Sequence, residues 1–259
     1  MSTLSISIQS FSVEALPVRV YADPADLYRD AASIAQKCLQ EALGARGLAA
    51  AILATGNSQI IFLDELVRLG GVDWSKIILF HMDEYLGLDA NHRASFRRYM
   101  RERVESRVHP REFHYLAGDA LEPLDECERY AKLLRAQPID LCCLGIGENG
   151  HIAFNDPAVA KFNDPHFVKI VKLDDVCKMQ QVKQEHFPNL ESVNPYALTL
   201  TIPALCSAKK MLCLAPEKRK AEPIKNMLRG PVSADCPASI LRTQAQAILF
   251  LDQDSASLL

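Results

Sequence analysis

Four short stretches of this sequence carry side chains that could do chemistry. The densest is IDLCCLGIGENGHIAFNDP, an apolar run that empties into Gly145, Gly147 and Gly150, followed by His151 and, five residues on, Asp156. Glycines at that density let the backbone approach a ligand closely, and an imidazole beside Asn149 has polar neighbours able to set its tautomer. A second stretch, Asp83-Glu84, follows IILFHM. A carboxylate lifted toward neutrality by burial can take and return a proton. Side chains of adjacent residues diverge at a strand end, so one of the pair is expected to face a cleft; the spacing does not say which.

The other two stretches suit an anion. Thr55-Gly56-Asn57-Ser58 precedes a helical run, and backbone N–H groups and hydroxyls at a helix N-terminus favour phosphate. No GK[ST] follows and there is no GxGxxG, so this is neither a P-loop nor a dinucleotide turn. Pro216-Glu217-Lys218-Arg219-Lys220 puts cations at a helix start, where they oppose the helix dipole unless an anion offsets the cost. The bland readings of these stretches are a capped turn, a solvated acidic pair, a structural histidine and a solvated basic turn.

Residues this far apart in the chain need a framework to gather them. Short β-rich apolar runs are predicted at 18–21, 48–54, 77–82, 139–144, 167–171, 197–201, 211–214 and 247–251, alternating with helical periodicity at 24–43, 58–69, 95–108, 121–134, 174–184 and 218–228. That order predicts an α/β fold: an open, mostly parallel sheet with helices on both faces, a three-layer, modified Rossmann-like arrangement. No linker or composition step divides the chain, so residues 1–259 are expected to form a single domain. In such sheets ligands bind outside the carboxyl ends of the strands, where all four stretches fall.

Composition narrows the functional classes. The 259 residues are 49% hydrophobic and 24% charged, with a net charge of −3 and interspersed signs, which favours neither nucleic acid nor an anionic membrane surface as partner. No apolar run approaches the roughly 18 residues of a membrane span, and the opening segment lacks a signal-peptide pattern. A cytoplasmic protein is expected. The eight cysteines form no CxxC pair, so free thiols packed as small hydrophobes are expected rather than zinc ligands or disulfides. A homo-oligomer stays open, because a buried interface and a buried core give the same pattern.

Taken together, the motifs resemble those of the glucosamine-6-phosphate deaminase (isomerase) family over about residues 25–252. ATGNS is similar to the family's phosphate loop, FHMDEYLGL to its catalytic-base strand end and GIGENGHIAFNDP to its ring-opening loop; YALTLTIPAL and CPASIL also fit. The related 6-phosphogluconolactonases typically carry Asp-Glu-Arg and a Ser-Leu-Phe-Pro type sequence at the corresponding places. Asp83-Glu84-Tyr85 and Phe154-Asn155-Asp156-Pro157 favour the deaminase branch.

The resemblance implies conversion of a 2-amino-2-deoxy sugar 6-phosphate, glucosamine 6-phosphate, to fructose 6-phosphate and ammonia, with no metal or redox cofactor. His151 would open the sugar ring, Asp83 would move the proton from C2 to C1, and Asn149 and Asp156 would hold the imidazole. Thr55, Gly56, Asn57, Ser58 and Gly147 would line the substrate, with Lys220 as counter-charge to its phosphate. Three departures stand out. Asp156 replaces the family's frequent Glu and would grip His151 less firmly; Glu185 replaces an arginine; Arg242 stands where a neutral residue is common, and is expected to restore the missing positive charge. A lactonase-like hydrolase and a non-catalytic sugar-phosphate-binding protein are the alternatives.

Overall fold

The structure is a computed structural model that describes residues 7–183 and 185–259; residues 1–6 and Gln184, the last residue of one predicted helix, lie outside the described residues. The strands are β1 (Gln9–Val13), β2 (Leu16–Tyr21), β3 (Ala49–Leu53), β4 (Ile77–His81), β5 (Asp83–Tyr85), β6 (Glu112–His114), β7 (Leu141–Leu144), β8 (Val168–Lys172), β9 (Tyr196–Leu200), β10 (Lys210–Leu214) and β11 (Ala247–Asp252). Between them run α1 (Pro24–Arg46), α2 (Asn57–Leu69), α3 (Phe96–Met100), which passes through a π turn (Arg101–Glu105) into α4 (Ser106–Val108), then α5 (Pro123–Arg135), α6 (Asp175–Lys183), α7 (Ile202–Cys206) and α8 (Ala221–Arg229).

The main sheet has the order β1-β2-β11-β10-β7-β3-β4-β6 and is parallel except for the β1–β2 hairpin at one edge. Its inner strands read as unbroken apolar runs because both faces are covered. Alternate residues of β3 divide accordingly: Ala50 and Ile52 join one core cluster, Ala49, Ala51 and Leu53 the other. The expected α/β, mostly parallel, three-layer architecture is therefore the one observed.

Helix ends follow local chemistry. The Asp23 side chain accepts from Ala25 N at 2.8 Å, Pro24 occupies the first turn, and Gly47 closes α1 in the left-handed region at φ 70°. Two differences from expectation concern strands. β1, β5 and β6 were not foreseen, since all three are short and polar enough to give no apolar run. β5, β9 and β8 form a separate antiparallel sheet. Its β5–β9 pairing joins stretches more than a hundred residues apart, which local periodicity does not encode.

All eight cysteines are free, five of them buried. Cys142 and Cys143 sit on opposite faces of β7 in the two clusters, as small core hydrophobes do. No helix among the described residues is long and apolar enough to cross a membrane.

At the amino end of β7 one buried carboxylate ties three elements together. Asp140 Oδ2 accepts from Ala50 N at 3.0 Å and from Arg46 at the end of α1 at 2.5 Å, while Oδ1 meets Lys209 Nζ at 3.1 Å. Replacing Asp140 by alanine strands the buried Ala50 N–H and unpairs two cations, a loss of about 2–4 kcal/mol. Denaturant unfolding should show that loss as a lower midpoint at unchanged slope; an unaltered midpoint would count against this role.

Candidate active site

The four chemically loaded stretches all leave the carboxyl ends of β10, β7, β3 and β4, which are neighbours at the centre of the sheet. The chain moves outward from β3 through β4 to β6, then returns to β7 on the other side of β3. The crevice between β3 and β7 is thus a point where strand order reverses, the usual place for a ligand in an open α/β sheet. The loops touch there: a Cβ on Gly145 would lie 3.3 Å from Ser58 Oγ. Gln59, the buried neighbour of Ser58, reaches Leu144 O at the end of β7 at 3.4 Å. A cleft opens between these loops. Asp83, His151, Gly147, Thr55, Gly56, Asn57, Ser58 and Lys220 line it.

His151 is held from behind. Its Nδ1 lies 2.7 Å from Asn149 Oδ1 and 2.9 Å from Asp156 Oδ1, and both oxygens can accept only if Nδ1 carries the hydrogen. Nε2 has no protein partner among the described residues, and the ring lines the cleft. The amide orientation of Asn149 follows from its other contacts, because Nδ2 donates to Asp156 Oδ1 at 3.0 Å and to Asp174 Oδ2 at 2.7 Å. Asp156 also accepts from Asp174 N at 3.2 Å. Burial pushes the Asp156 carboxyl up, but His151, Asn149 and the Asp174 N–H outweigh it and leave the group below the usual carboxylate range. The loosened grip expected from the shorter side chain is not seen: Asp156 reaches the imidazole.

Gly147 is what lets the ring lie there. Its N–H donates to His151 O at 2.8 Å, and a Cβ at this position would fall 2.2–2.4 Å from three atoms of the imidazole. Gly150, at φ 83°, makes the turn between them.

Asp83 and Glu84 part company, as alternation on β5 requires. Asp83 lines the cleft, is 6% exposed, and has an Oδ1 without a hydrogen-bond partner. Burial first, and the charge of Glu84 second, raise its carboxyl well above the ordinary value. Glu84 points away and caps α3, accepting from Ser95 Oγ at 2.7 Å, Phe96 N at 3.2 Å and Arg97 N at 3.0 Å. The question the spacing leaves open is answered by these partners.

The other end of the cleft is positive. Gly56, at φ 105°, opens α2, and the Thr55–Ser58 turn lines the cleft. Lys220 ends a single 3₁₀ turn (Lys218–Lys220) before α8. It is 4% exposed, makes no ion pair among the described residues, and is lowered to about 8 by burial and then by neighbouring Arg219. A buried ammonium facing a cleft without a counter-ion is poised for an anion. The residue before this turn, Glu217, is held at φ 83° with its N–H on Asp252 Oδ2 at 2.9 Å, which fixes the turn's direction.

Arg242 is not part of this site. Its guanidinium turns back to the end of α8, donating to Gly230 O at 2.6 Å and Met227 O at 3.4 Å, and pairs with Glu14. The 3₁₀ segment that carries it (Pro237–Thr243) runs toward the β1–β2 turn, where Ala15 N donates to Arg242 O at 3.0 Å. Those carbonyls at the end of α8 need donors, and Arg242 supplies them. Arg219, Gln180, Gln181 and His186 line the cleft instead. Arg219 lay within the basic cluster, but a sequence gives no sign that α6 and the segment after it fold over the crevice. Glu185, in the place of the expected arginine, is exposed and outside the cleft; the adjacent His186 faces it, with Nδ1 at 2.9 Å from Gln181 Oε1.

Comparison with known proteins agrees with this geometry. The profile of the family described as glucosamine-6-phosphate isomerases/6-phosphogluconolactonase matches residues 22–250. A glucosamine-6-phosphate deaminase of Exiguobacterium sibiricum is 38% identical over 207 residues, 80% of each chain. Another, of Listeria monocytogenes, is 36% identical over 80% of this chain and 86% of its own. Among solved structures, a monomeric glucosamine-6-phosphate deaminase of the NagB superfamily superposes with a TM-score of 0.86 at 30% identity, covering 93% of this chain and 99% of that one. A 6-phosphogluconolactonase of Thermotoga maritima reaches 0.72 at 21% identity, over 91% and 98%, which is a likeness of fold alone. The chain belongs to the glucosamine-6-phosphate isomerase/6-phosphogluconolactonase family.

Proposed function

We propose that this protein is a glucosamine-6-phosphate deaminase, converting the amino sugar phosphate to fructose 6-phosphate and ammonia. The observation that carries the reading is the convergence on one cleft of three groups that have, among the described residues, no partner there: Oδ1 of the buried Asp83 carboxylate, Nε2 of His151 and the Lys220 ammonium, which makes no ion pair. The phosphate binds the Thr55–Ser58 turn and Lys220, a charge-assisted contact. His151 Nε2 takes the proton of the anomeric hydroxyl and returns it to the ring oxygen, opening the sugar; ionised Asp156 stabilises the transient imidazolium. Asp83 removes the C2 proton and delivers it to C1, while O1 gains a proton and the amino nitrogen gives one up, leaving a C2 imine. Water adds to that imine and ammonia departs, giving the ketose. The lactonase reading rests on the shared family description and on solved structures that are alike in fold.

Incubation with glucosamine 6-phosphate should therefore yield ammonium and fructose 6-phosphate in equal amounts, and Asp83→Asn should cut kcat by about 10²–10⁴-fold. Acid release from 6-phosphogluconolactone without any ammonium from the amino sugar would reverse the assignment.

The two cations should separate in kinetics. Lys220→Ala is expected to raise KM for the phosphorylated sugar by about ten- to a hundredfold. Arg242→Ala should leave KM within about twofold while lowering unfolding stability by about 1–3 kcal/mol, through the α8 carbonyls it abandons. A KM unmoved in Lys220→Ala would remove the phosphate from this end of the cleft.

The pH profile of kcat/KM should be a bell. Asp83 acts as a base only when ionised, and its raised value puts the acid limb above the ordinary carboxylate range near 4. Lys220 attracts the phosphate only when protonated, so the alkaline limb should fall near pH 8, where the free enzyme loses that proton. Lys220→Arg should abolish the alkaline limb, because guanidinium does not titrate there; persistence of the limb would assign it to another group.

A further inference from the structure

We propose that His151, Asp156 and Cys177 form an inhibitory site for zinc directly behind the cleft. The inhibition, though not the binding, rests on the deaminase reading above. Cys177 lies in the first turn of α6, fully buried, with its N–H on Asp174 Oδ1 at 2.6 Å. The same Asp174 holds the Asn149 amide through its other oxygen. The deamination steps make no use of this thiol. Its Sγ, a carboxylate oxygen of Asp156 and a ring nitrogen of His151 all fall within 4.8 Å of one another. A tetrahedral zinc ion with bonds of about 2.0–2.3 Å spaces its ligand atoms roughly 3.3–3.7 Å apart, so His151 Nδ1 and Asp156 Oδ1, 2.9 Å apart, must spread a little to admit the ion. Asn149 Oδ1, 2.7 Å from His151 Nδ1, stands next to the same nitrogen as a fourth donor.

The donor chemistry favours a borderline-soft divalent ion over magnesium or calcium, which take oxygen alone. Charge also balances. Zinc brings two positive charges, the Asp156 carboxylate supplies one negative charge, and Cys177 supplies the second by releasing its thiol proton to solvent. His151 stays neutral: zinc takes Nδ1 and the ring hydrogen moves to Nε2. The buried site therefore ends with no net charge and one proton released. His151 is part of the cleft wall, so an ion in the cleft reaches the donors behind by movement of that ring. Once bound, it leaves Nε2 carrying a hydrogen and unable to accept the anomeric proton, and ties up the carboxylate that supports the imidazolium.

The test uses the intact chain, stripped with a chelator and titrated with zinc, with cobalt(II) in parallel as a spectroscopic probe. Expected are one ion bound per chain, a thiolate-to-cobalt charge-transfer band, and deaminase activity lost in step with zinc binding and restored by a chelator. Cys177→Ala should keep its metal-free activity, lack the band, and need at least about tenfold more zinc for half inhibition. Cys177→Ser provides the same reading should the alanine variant fold poorly. No thiolate band in the parent chain, or equal zinc sensitivity in parent and variant, overturns the proposal. Because the band is read without turnover, failure of the deaminase assay would leave the metal result standing.

Discussion

The hydrogen on His151 Nδ1 is the constraint from which the rest of the cleft follows. It is shared between Asn149 Oδ1 and Asp156 Oδ1, two acceptors that are themselves fixed, one by Asp174 and the other by Asp174 and Asn149. With the ring locked in that tautomer, only Nε2 is available to a ligand. The lock needs an adjacent residue without a side chain, which Gly147 provides, and a tight return of the backbone, which Gly150 provides.

That lock must also be brought opposite a base from another part of the chain. The framework does this by geometry of the sheet rather than by loop length. β3 and β7 are adjacent although nearly ninety residues separate them, and β4 and β10 flank the pair. Short exits from four parallel strands then meet over one crevice. The second sheet has a supporting part: β5 carries Asp83 directly after β4 and pairs with β9. Thr199 on β9 accepts from Phe154 N at 3.1 Å, inside the loop between His151 and Asp156. The base and the imidazole loop are thus braced against the same strand.

Much of this was legible in the sequence, for identifiable reasons. Inner strands such as Ile77–His81 and Leu141–Leu144 are buried on both faces and read as apolar runs; glycines cluster where backbone and imidazole touch; Lys220 stands at a helix start where a cation has no local reason to be. What escaped depends on distant contacts. Glu84 was indistinguishable from Asp83 until the start of α3 claimed it as a cap. Arg242 had the right charge for a phosphate contact, but the open carbonyls at the end of α8 compete for it. Gln180, Gln181 and His186 enter the cleft through the path of α6, and no spacing within their own segment announces that. His81 makes the same point in reverse: it sits two residues from Asp83, yet its Nε2 accepts from Leu116 N at 2.9 Å, and burial lowers it to about 3. It is a neutral core histidine, separated from His151 in kind only by what surrounds it.

The two cleft carboxylates show how surroundings divide labour between like groups. Asp83 and Asp156 are both buried, so desolvation drives both toward the neutral form. Asp156 escapes because several donors converge on it and favour the anion. Asp83 does not, because its Oδ1 has no donor and Glu84 adds a second negative charge nearby. One carboxylate is held in its ionised form by its donors; the other is pushed well above the ordinary carboxylate value, toward its neutral form. Exchanging their surroundings would exchange their roles without changing either residue. In this cleft the pattern of hydrogen-bond donors, more than the identity of the acids, sets how readily each holds its proton.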